Sequence, residues 1–374
     1  MSAKKNSSFA RRLAVPRPLW TLGSLLVIVV IVTVVGNALG GPILTDATAT
    51  MCVYIVAVVG TFVFNGNSGV FSFGQVGFVA IGAYSAAAFR IPEGTKQALF
   101  PGLPPVTFDP ATATLIGGVA AAFVGFVVAL LVARVDGLAA ALVTFAFLSI
   151  VFAIASNLKS ITGGQTGLFG VPMTTTPMTA LPWVLGAIVV AWAFGETRLC
   201  LQLRGTREDE AAAAAIGIGT WRGRVVSFTV SAFLCGISGG MFAQYLGTFN
   251  AEGFYLDLSL LTIAMLVVGG ARTLSGAVIG AIFLSAVRAW LESLESGFVI
   301  GPLQVSAHPG LQDLGTAIAL LAVLLFSPAG LTRGREIGPL VAVTVGRLWR
   351  RERDDAPAAL PVESQGASTE EVHS

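Results

Sequence analysis

Apolar runs of bilayer length, separated by connections too short to build a soluble domain, constrain this chain more than any other feature. A crossing helix needs roughly 20 apolar residues, because about 30 Å of hydrocarbon must be covered at 1.5 Å per residue. The first run extends from Leu19 to about Leu39, and others follow at about 48–64, 74–89, 111–133, 138–156, 181–196, 225–245, 257–271, 274–291 and 311–327. The pattern predicts an all-α, polytopic membrane protein of about ten transmembrane helices. The runs 74–89 and 181–196 fall short of a full crossing, so tilted, broken or re-entrant segments are expected there. Composition agrees: 55% of residues are hydrophobic and 11% charged, against about 25% charged in soluble domains, and mean hydropathy is +0.82.

Charge sets the expected orientation. Lys4, Lys5, Arg11, Arg12 and Arg17 precede the first run, which is longer than the core of a secretory signal and lacks a small-residue cleavage site. An even number of crossings then puts Arg134, the cluster Arg198, Arg204, Arg207, Arg222 and Arg224, then Arg272, and the run from Arg333 to Arg353 on the same side as this tail. The expected organisation is a basic cytoplasmic tail at 1–18, a membrane domain at 19–331 and a cytoplasmic tail at 332–374. Within that last tail, 337–345 reads as an interfacial helix and 356–374 as disordered. The glycine- and proline-rich stretch 92–110, the stretch 158–182 and residues 293–309 become outer loops.

Several kinds of chemistry find no residues to carry them. Cys52, Cys200 and Cys235 form no CxxC pair, and His308 and His373 have no ligand spacing around them, so buried free thiols and no metal site are expected. There is no GxxxxGK[ST] loop, and the lysines are Lys4, Lys5, Lys96 and Lys159. No span interior holds a titratable group suited to proton coupling, nor a nucleophile with a base. A net charge of +2 does not call for a nucleic-acid partner. The chain is therefore expected to be no enzyme, to bind no cofactor of its own, and to draw energy from a partner.

Two kinds of polar interruption are candidate sites. From Leu203 to Gly219 the sequence reads LRGTREDEAAAAAIGIG. Thr206 is expected as N-cap with Asp209 completing a capping box, Glu208 to Glu210 in the first turn, Ala211 and Ala212 opening an alanine flank, and Gly217 as the stop. A surface helix over 206–217, about 15 Å long, would be a docking element. Within the spans, Asn65, Asn67, Ser68, Ser72 and Gln75 bring uncharged polar groups to a helix break, and Thr144, Ser149 and Asn157 lead towards Thr162, Gly163 and Gly164. These are candidates for a solute pathway, or else for glycine packing and back-bonding to helix carbonyls.

In chain order, several short motifs coincide with one family. They are the series Asn65, Gly69, Ser72, Gly74, Phe78 and Ile81-Gly82-Ala83-Tyr84; VTFAF at Val143–Phe147; TGGQTG at Thr162–Gly167; REDEAAAAAIGI at Arg207–Ile218; SAFLCGISGG at Ser231–Gly240; VVGG at Val267–Gly270; LSGAVIGA at Leu274–Ala281; and FSPAGL at Phe326–Leu331. Residues 48–331 thus resemble the permease subunit of branched-chain amino acid ATP-binding-cassette importers. The resemblance implies a type II importer fold, a second permease of the same kind, and two cytoplasmic ATPase subunits that hold ATP and Mg and dock on the helix at Arg207–Gly217. It also implies an extracytoplasmic solute-binding protein and a bacterial-type plasma membrane. Branched-chain or other hydrophobic amino acids are the implied solutes, with urea or short amides as the alternative in the family and an autonomous channel or uniporter outside it. The chain departs from the family pattern at Ala271, Arg272, Thr273 and Ala329.

Overall fold

A computed structural model describes residues 17–38, 40–100, 102–295, 299–300, 303–304, 310–327, 329–334 and 336. The basic stretch before Arg17, the interfacial helix at 337–345, the tail at 356–374 and most of the outer loop 293–309 lie outside the described residues. The chain runs through α1 (Arg17–Ala38), α2 (Pro42–Ser68), α3 (Gln75–Ala88), α4 (Glu93–Leu99), α5 (Pro110–Val132), α6 (Gly137–Asn157), the single turn α7 (Lys159–Thr162) and α8 (Pro177–Gly195). It continues with α9 (Arg198–Glu208), α10 (Glu210–Ala215), α11 (Thr220–Leu246), α12 (Leu256–Gly269), α13 (Leu274–Glu295) and α14 (Leu311–Phe326). A two-residue antiparallel pair, Val299–Ile300 with Leu303–Gln304, precedes α14.

Every expected apolar run is helical. Among the described residues, eight helices are long and apolar enough to cross a membrane, and two shorter apolar ones, Gln75–Ala88 and Gln312–Phe326, accompany them. The run expected to be short at 181–196 is not: Thr176 and Thr179 form a capping box around Pro177, which moves the start of α8 back and gives it 19 residues. The 92–110 stretch is more ordered than its prolines and glycines predict. It contains α4, whose Lys96 is only 2% exposed and donates to Pro104 O at 3.0 Å and Val106 O at 2.7 Å.

Helices α2 and α11 form the centre and are buried along most of their length, as expected of helices apolar on every side. Phe228 of α11 packs edge-on against Phe64 of α2 and Phe78 of α3, with ring centroids at 4.8 and 5.4 Å. Where α3, α5 and α11 cross, the backbones touch. A Cβ on Gly82 would sit 2.1 Å from Gly236 O, and one on Gly117 would sit 2.6 Å from Gly82 O. Without solvent inside a membrane to drive helices together, such close approach through small residues supplies the packing energy.

One end of the bundle is arginine-rich. Arg224, at the start of α11, pairs with Asp136 from the α5–α6 connection and with Glu210 of α10 at 3.3 Å. Beyond α14 the chain returns to this basic face, since Leu331 N and Thr332 N donate to Val268 O and Gly269 O at 2.8 and 3.2 Å. Ser275 Oγ and Glu336 Oε2, 2.7 Å apart, continue the contact.

Candidate functional site

The break between α2 and α3 gathers the buried polar residues Asn65, Asn67, Ser68, Ser72 and Gln75. Helix α2 ends at Ser68, and Gly69 caps it in the left-handed conformation with φ +72°, its N–H returning to Asn65 O. The chain then runs as an irregular, non-helical segment over 69–74 before α3 begins at Gln75. Helix α3 is about 21 Å long, short of the roughly 30 Å of a full crossing, and is preceded by the segment 69–74. The backbone of this segment is held from three sides. Asn65 Nδ2 donates to Ser72 O at 3.3 Å, Phe73 N donates to Thr144 Oγ1 of α6 at 3.3 Å, and Ser259 Oγ of α12 donates to Phe73 O at 3.0 Å.

Three polar atoms at this break are buried without a partner among the described residues: Asn65 Oδ1, Ser72 Oγ and Gln75 Nε2. Their residues are 6%, 1% and 2% exposed. The other end of the Gln75 amide faces Ser231 of α11, whose Oγ lies 3.0 Å from Gln75 Oε1 and 2.6 Å from Gly60 O. Ser231 has one proton and serves one of these acceptors at a time. Each unpartnered buried group costs about 1–3 kcal/mol, so three together mark a place organised for something other than stability.

The remaining pathway candidates divide. Ser68 closes its own helix end, donating to Phe64 O at 2.8 Å and accepting from Val70 N at 3.2 Å. Thr144 combines the two roles left open for it, donating to Ala141 O at 2.9 Å while holding Phe73 N. Thr162, Gly163 and Gly164 are not at the break. They lie beyond the far end of α6, about 20 Å along the helix from Thr144. There Thr162 Oγ1 is 2.6 Å from Ala155 O, Gly163 and Gly164 take φ of +75° and +61°, and Leu168 pairs with Phe249. Ser231 and Ser259 complete the break but were not singled out from the sequence as pathway residues; hydroxyls isolated in apolar runs were their only signal.

On the basic face the expected single helix over 206–217 is instead two. Helix α9 continues through Thr206, which is buried and donates to Leu203 O at 2.8 Å rather than acting as an N-cap. The chain turns at Asp209, with φ −154° and ψ 106°, and Asp209 Oδ1 caps α10 by accepting Ala212 N at 2.9 Å. Thr206 and Asp209 therefore make no capping box, and of the three acids only Glu210 lies in a first turn. The cause is upstream: Thr197 caps α9 by accepting Cys200 N at 3.2 Å, and buried Cys200 and Leu203 hold that helix against the bundle. Gly217 is the stop, with φ +79°, and the bonds Gly217 N to Ala214 O and Ile218 N to Ala213 O complete the closing motif.

Of these two helices, α9 touches the break directly. Arg204 Nε donates to Asn67 Oδ1 at 2.7 Å and Arg207 Nη1 donates to Gly66 O at 2.5 Å, so two arginines of α9 hold the last turn of α2. A Cβ on Gly69 would collide with Arg207 Cγ at 2.3 Å. Arg207 also pairs with Glu208 at 3.0 Å, which keeps the Glu208 carboxyl below the usual carboxylate range. The outward side of α10 is free: Ala211, Ala212, Ala214 and Ala215 are exposed, and Ile216 is 75% exposed. Cys52, Cys200 and Cys235 are buried free thiols. Among the described residues no group of three or more His, Cys, Asp or Glu is placed to hold a metal ion.

Residues 43–328 match the family described as branched-chain amino acid transport system / permease component. The chain belongs to this family. Among its relatives is the high-affinity branched-chain amino acid transport system permease protein LivM of Escherichia coli strain K12, 30% identical over 295 residues, which cover 69% of this chain and 66% of that protein. LivH of Salmonella typhimurium, a permease protein of the same description, is 26% identical over 178 residues, covering 46% of this chain and 53% of LivH. The autoinducer 2 import system permease protein LsrC of Photorhabdus luminescens is 24% identical over 139 residues, covering 33% and 42%. The chain thus spans just under two thirds of the LivM length. The matched region of this permease family contains the helix break, α9 and α10.

Proposed function

We propose that this chain is the translocation subunit of an ATP-driven importer for branched-chain or other hydrophobic amino acids, in a bacterial-type plasma membrane with both termini cytoplasmic. In this reading the basic face is the cytoplasmic one, in keeping with the distribution of Arg and Lys. The pair α9–α10 docks a cytoplasmic ATPase, the exposed alanines and Ile216 of α10 forming the contact surface. A second permease, a second ATPase subunit and an extracytoplasmic solute-binding protein complete the importer. ATP and Mg reside in the ATPase subunits, and this chain performs no covalent chemistry.

The observation that carries the proposal is the grip of Arg204 and Arg207 on the last turn of α2. A displacement of α9 passes to Gly66 and Asn67 through two charge-assisted hydrogen bonds, and from there to the segment 69–74 and the unpartnered groups of Asn65, Ser72 and Gln75. A rigid helix pair pulling on an irregular hinge is a familiar way of switching access across a bundle. The uncharged polar groups suit a zwitterion whose charges are compensated within the solute itself.

The test is uptake of radiolabelled leucine into proteoliposomes containing the chain with its copurifying partners, with ATP supplied on the cytoplasmic side. ATP-dependent accumulation against a gradient is expected. Equal leucine equilibration with and without ATP would make the chain an autonomous uniporter.

A further inference from the structure

Away from the basic face, a cavity of about 660 Å³ opens among α2, α11, α12, α13 and α14, within the range of about 300–1,000 Å³ typical of small-molecule sites. Three charged residues line it: Asp257 in the first turn of α12, Asp313 in the first turn of α14, and Arg288 on α13. Leu258, Leu261 and Leu320 supply apolar wall. Arg288 lies two turns before the end of α13 at Glu295, about 10 Å along the axis, and is half-buried.

Arg288 takes part in none of the ion pairs among the described residues. It also borders a neighbouring cavity of about 190 Å³ that holds Asp46, Tyr245 and Glu292. Asp46 already accepts Tyr245 Oη at 2.6 Å, and Glu292, one turn along α13, is not paired with Arg288. Arg288 is half-buried near the end of its span and Asp257 and Asp313 are exposed, so all three charges remain open to a ligand in the cavity. Placement at helix starts accounts for each aspartate singly, but not for both meeting an unpaired guanidinium across one cavity.

We propose that this cavity binds a zwitterion carrying an apolar chain: its anionic group on Arg288, its ammonium between Asp257 and Asp313, its chain along Leu258, Leu261 and Leu320. Two sources share this chemistry, a free hydrophobic amino acid and the headgroup of phosphatidylethanolamine. For the lipid, acyl chains would leave past Leu260, which lines the cavity and is 55% exposed. The site involves neither the helix break nor α9–α10, and its occupancy requires no ATP, so it stands whether or not transport is ATP-driven.

The full-length chain purified in detergent tests this without an ATPase. Radiolabelled L-leucine binding is measured by scintillation proximity, and lipid adducts by native mass spectrometry after adding phosphatidylethanolamine or phosphatidylglycerol. Arg288→Gln is expected to weaken the bound zwitterion at least tenfold, with partial recovery in Arg288→Lys. The double variant Asp257→Asn/Asp313→Asn should weaken it similarly and keeps the test decisive if Arg288→Gln does not fold. Asp46→Asn should stay within twofold of wild type. Saturable leucine binding with this variant pattern assigns the amino acid, and phosphatidylethanolamine adducts with the same pattern assign the lipid. The proposal is overturned if the wild type binds neither, if binding survives both charge-removing variants, or if phosphatidylglycerol binds as well as phosphatidylethanolamine.

Discussion

Arg204 Nε and Asn67 Oδ1 are 2.7 Å apart, joining a helix of the basic face to the last turn of a central helix 137 residues earlier in the chain. If this bond and its neighbour, Arg207 to Gly66 O, carry motion to the helix break, losing them should uncouple the machine rather than dismantle it. Arg204→Ala combined with Arg207→Ala is expected to retain the ATPase and hydrolyse ATP while uptake falls at least tenfold. Hydrolysis and uptake measured on the same proteoliposomes check this, and uptake at wild-type level would assign both arginines to stability alone.

The unpartnered groups at the break make a prediction of the opposite kind. Replacing Asn65 or Gln75 by Leu removes one unpartnered buried atom, Asn65 Oδ1 or Gln75 Nε2, together with one hydrogen bond, to Ser72 O or from Ser231 Oγ, and the relief of the first offsets much of the loss of the second. Each variant should therefore assemble with a melting temperature close to wild type, yet transport several-fold less. Unchanged uptake in both would return the two residues to a packing role.

The glycines at the α3–α5–α11 crossing should behave as structure. A methyl at Gly82 meets Gly236 O at 2.1 Å, and overpacking of this kind costs about 1–3 kcal/mol or more. Gly82→Ala is expected to lower the melting temperature by several degrees, whereas Gly186→Ala, where a Cβ meets nothing within 4 Å, should leave it unchanged. Thermal unfolding of the two purified variants makes the comparison.

The apolar runs made the fold legible because a bilayer demands long helices and offers few alternatives. Helix ends were less legible where capping residues compete. Thr206 has the chemistry of an N-cap, but Thr197 had already capped the helix in which Thr206 lies, and buried Cys200 and Leu203 extended that helix past it. The polar break showed in the sequence through Asn65 and Gln75. Ser231 and Ser259, which meet it from α11 and α12, lie 156 and 186 residues from their partners Gln75 and Phe73, and such pairings emerge only with the tertiary fold. Thr162, Gly163 and Gly164 looked like pathway residues because glycines and hydroxyls mark a pore lining and a tight turn alike.

The proposed topology rests on the distribution of Arg and Lys. A cysteine placed at Gly102, in the loop after α4, should react with an impermeant thiol reagent in intact cells, while cysteines at positions 2 and 368 should not. Reaction at either terminus would remove the proposal that both are cytoplasmic.

The most direct test of the central proposal is charge reversal on the docking pair. Glu208→Lys breaks the pair with Arg207, and Glu210→Lys sets a positive charge beside Arg224, which Glu210 now meets at 3.3 Å. Glu210→Lys also opposes the dipole of α10, by about 0.3–1 kcal/mol. The apolar helices are untouched, so the double variant should reach the membrane at the wild-type level. A few kcal/mol of repulsive charge at a peripheral contact lowers its occupancy by one or two orders of magnitude. The variant is therefore expected to lose its ATPase on purification and to show no ATP-dependent leucine uptake. Copurification of the ATPase together with normal uptake would contradict the docking role of α9 and α10, and with it the proposed route of energy into this permease.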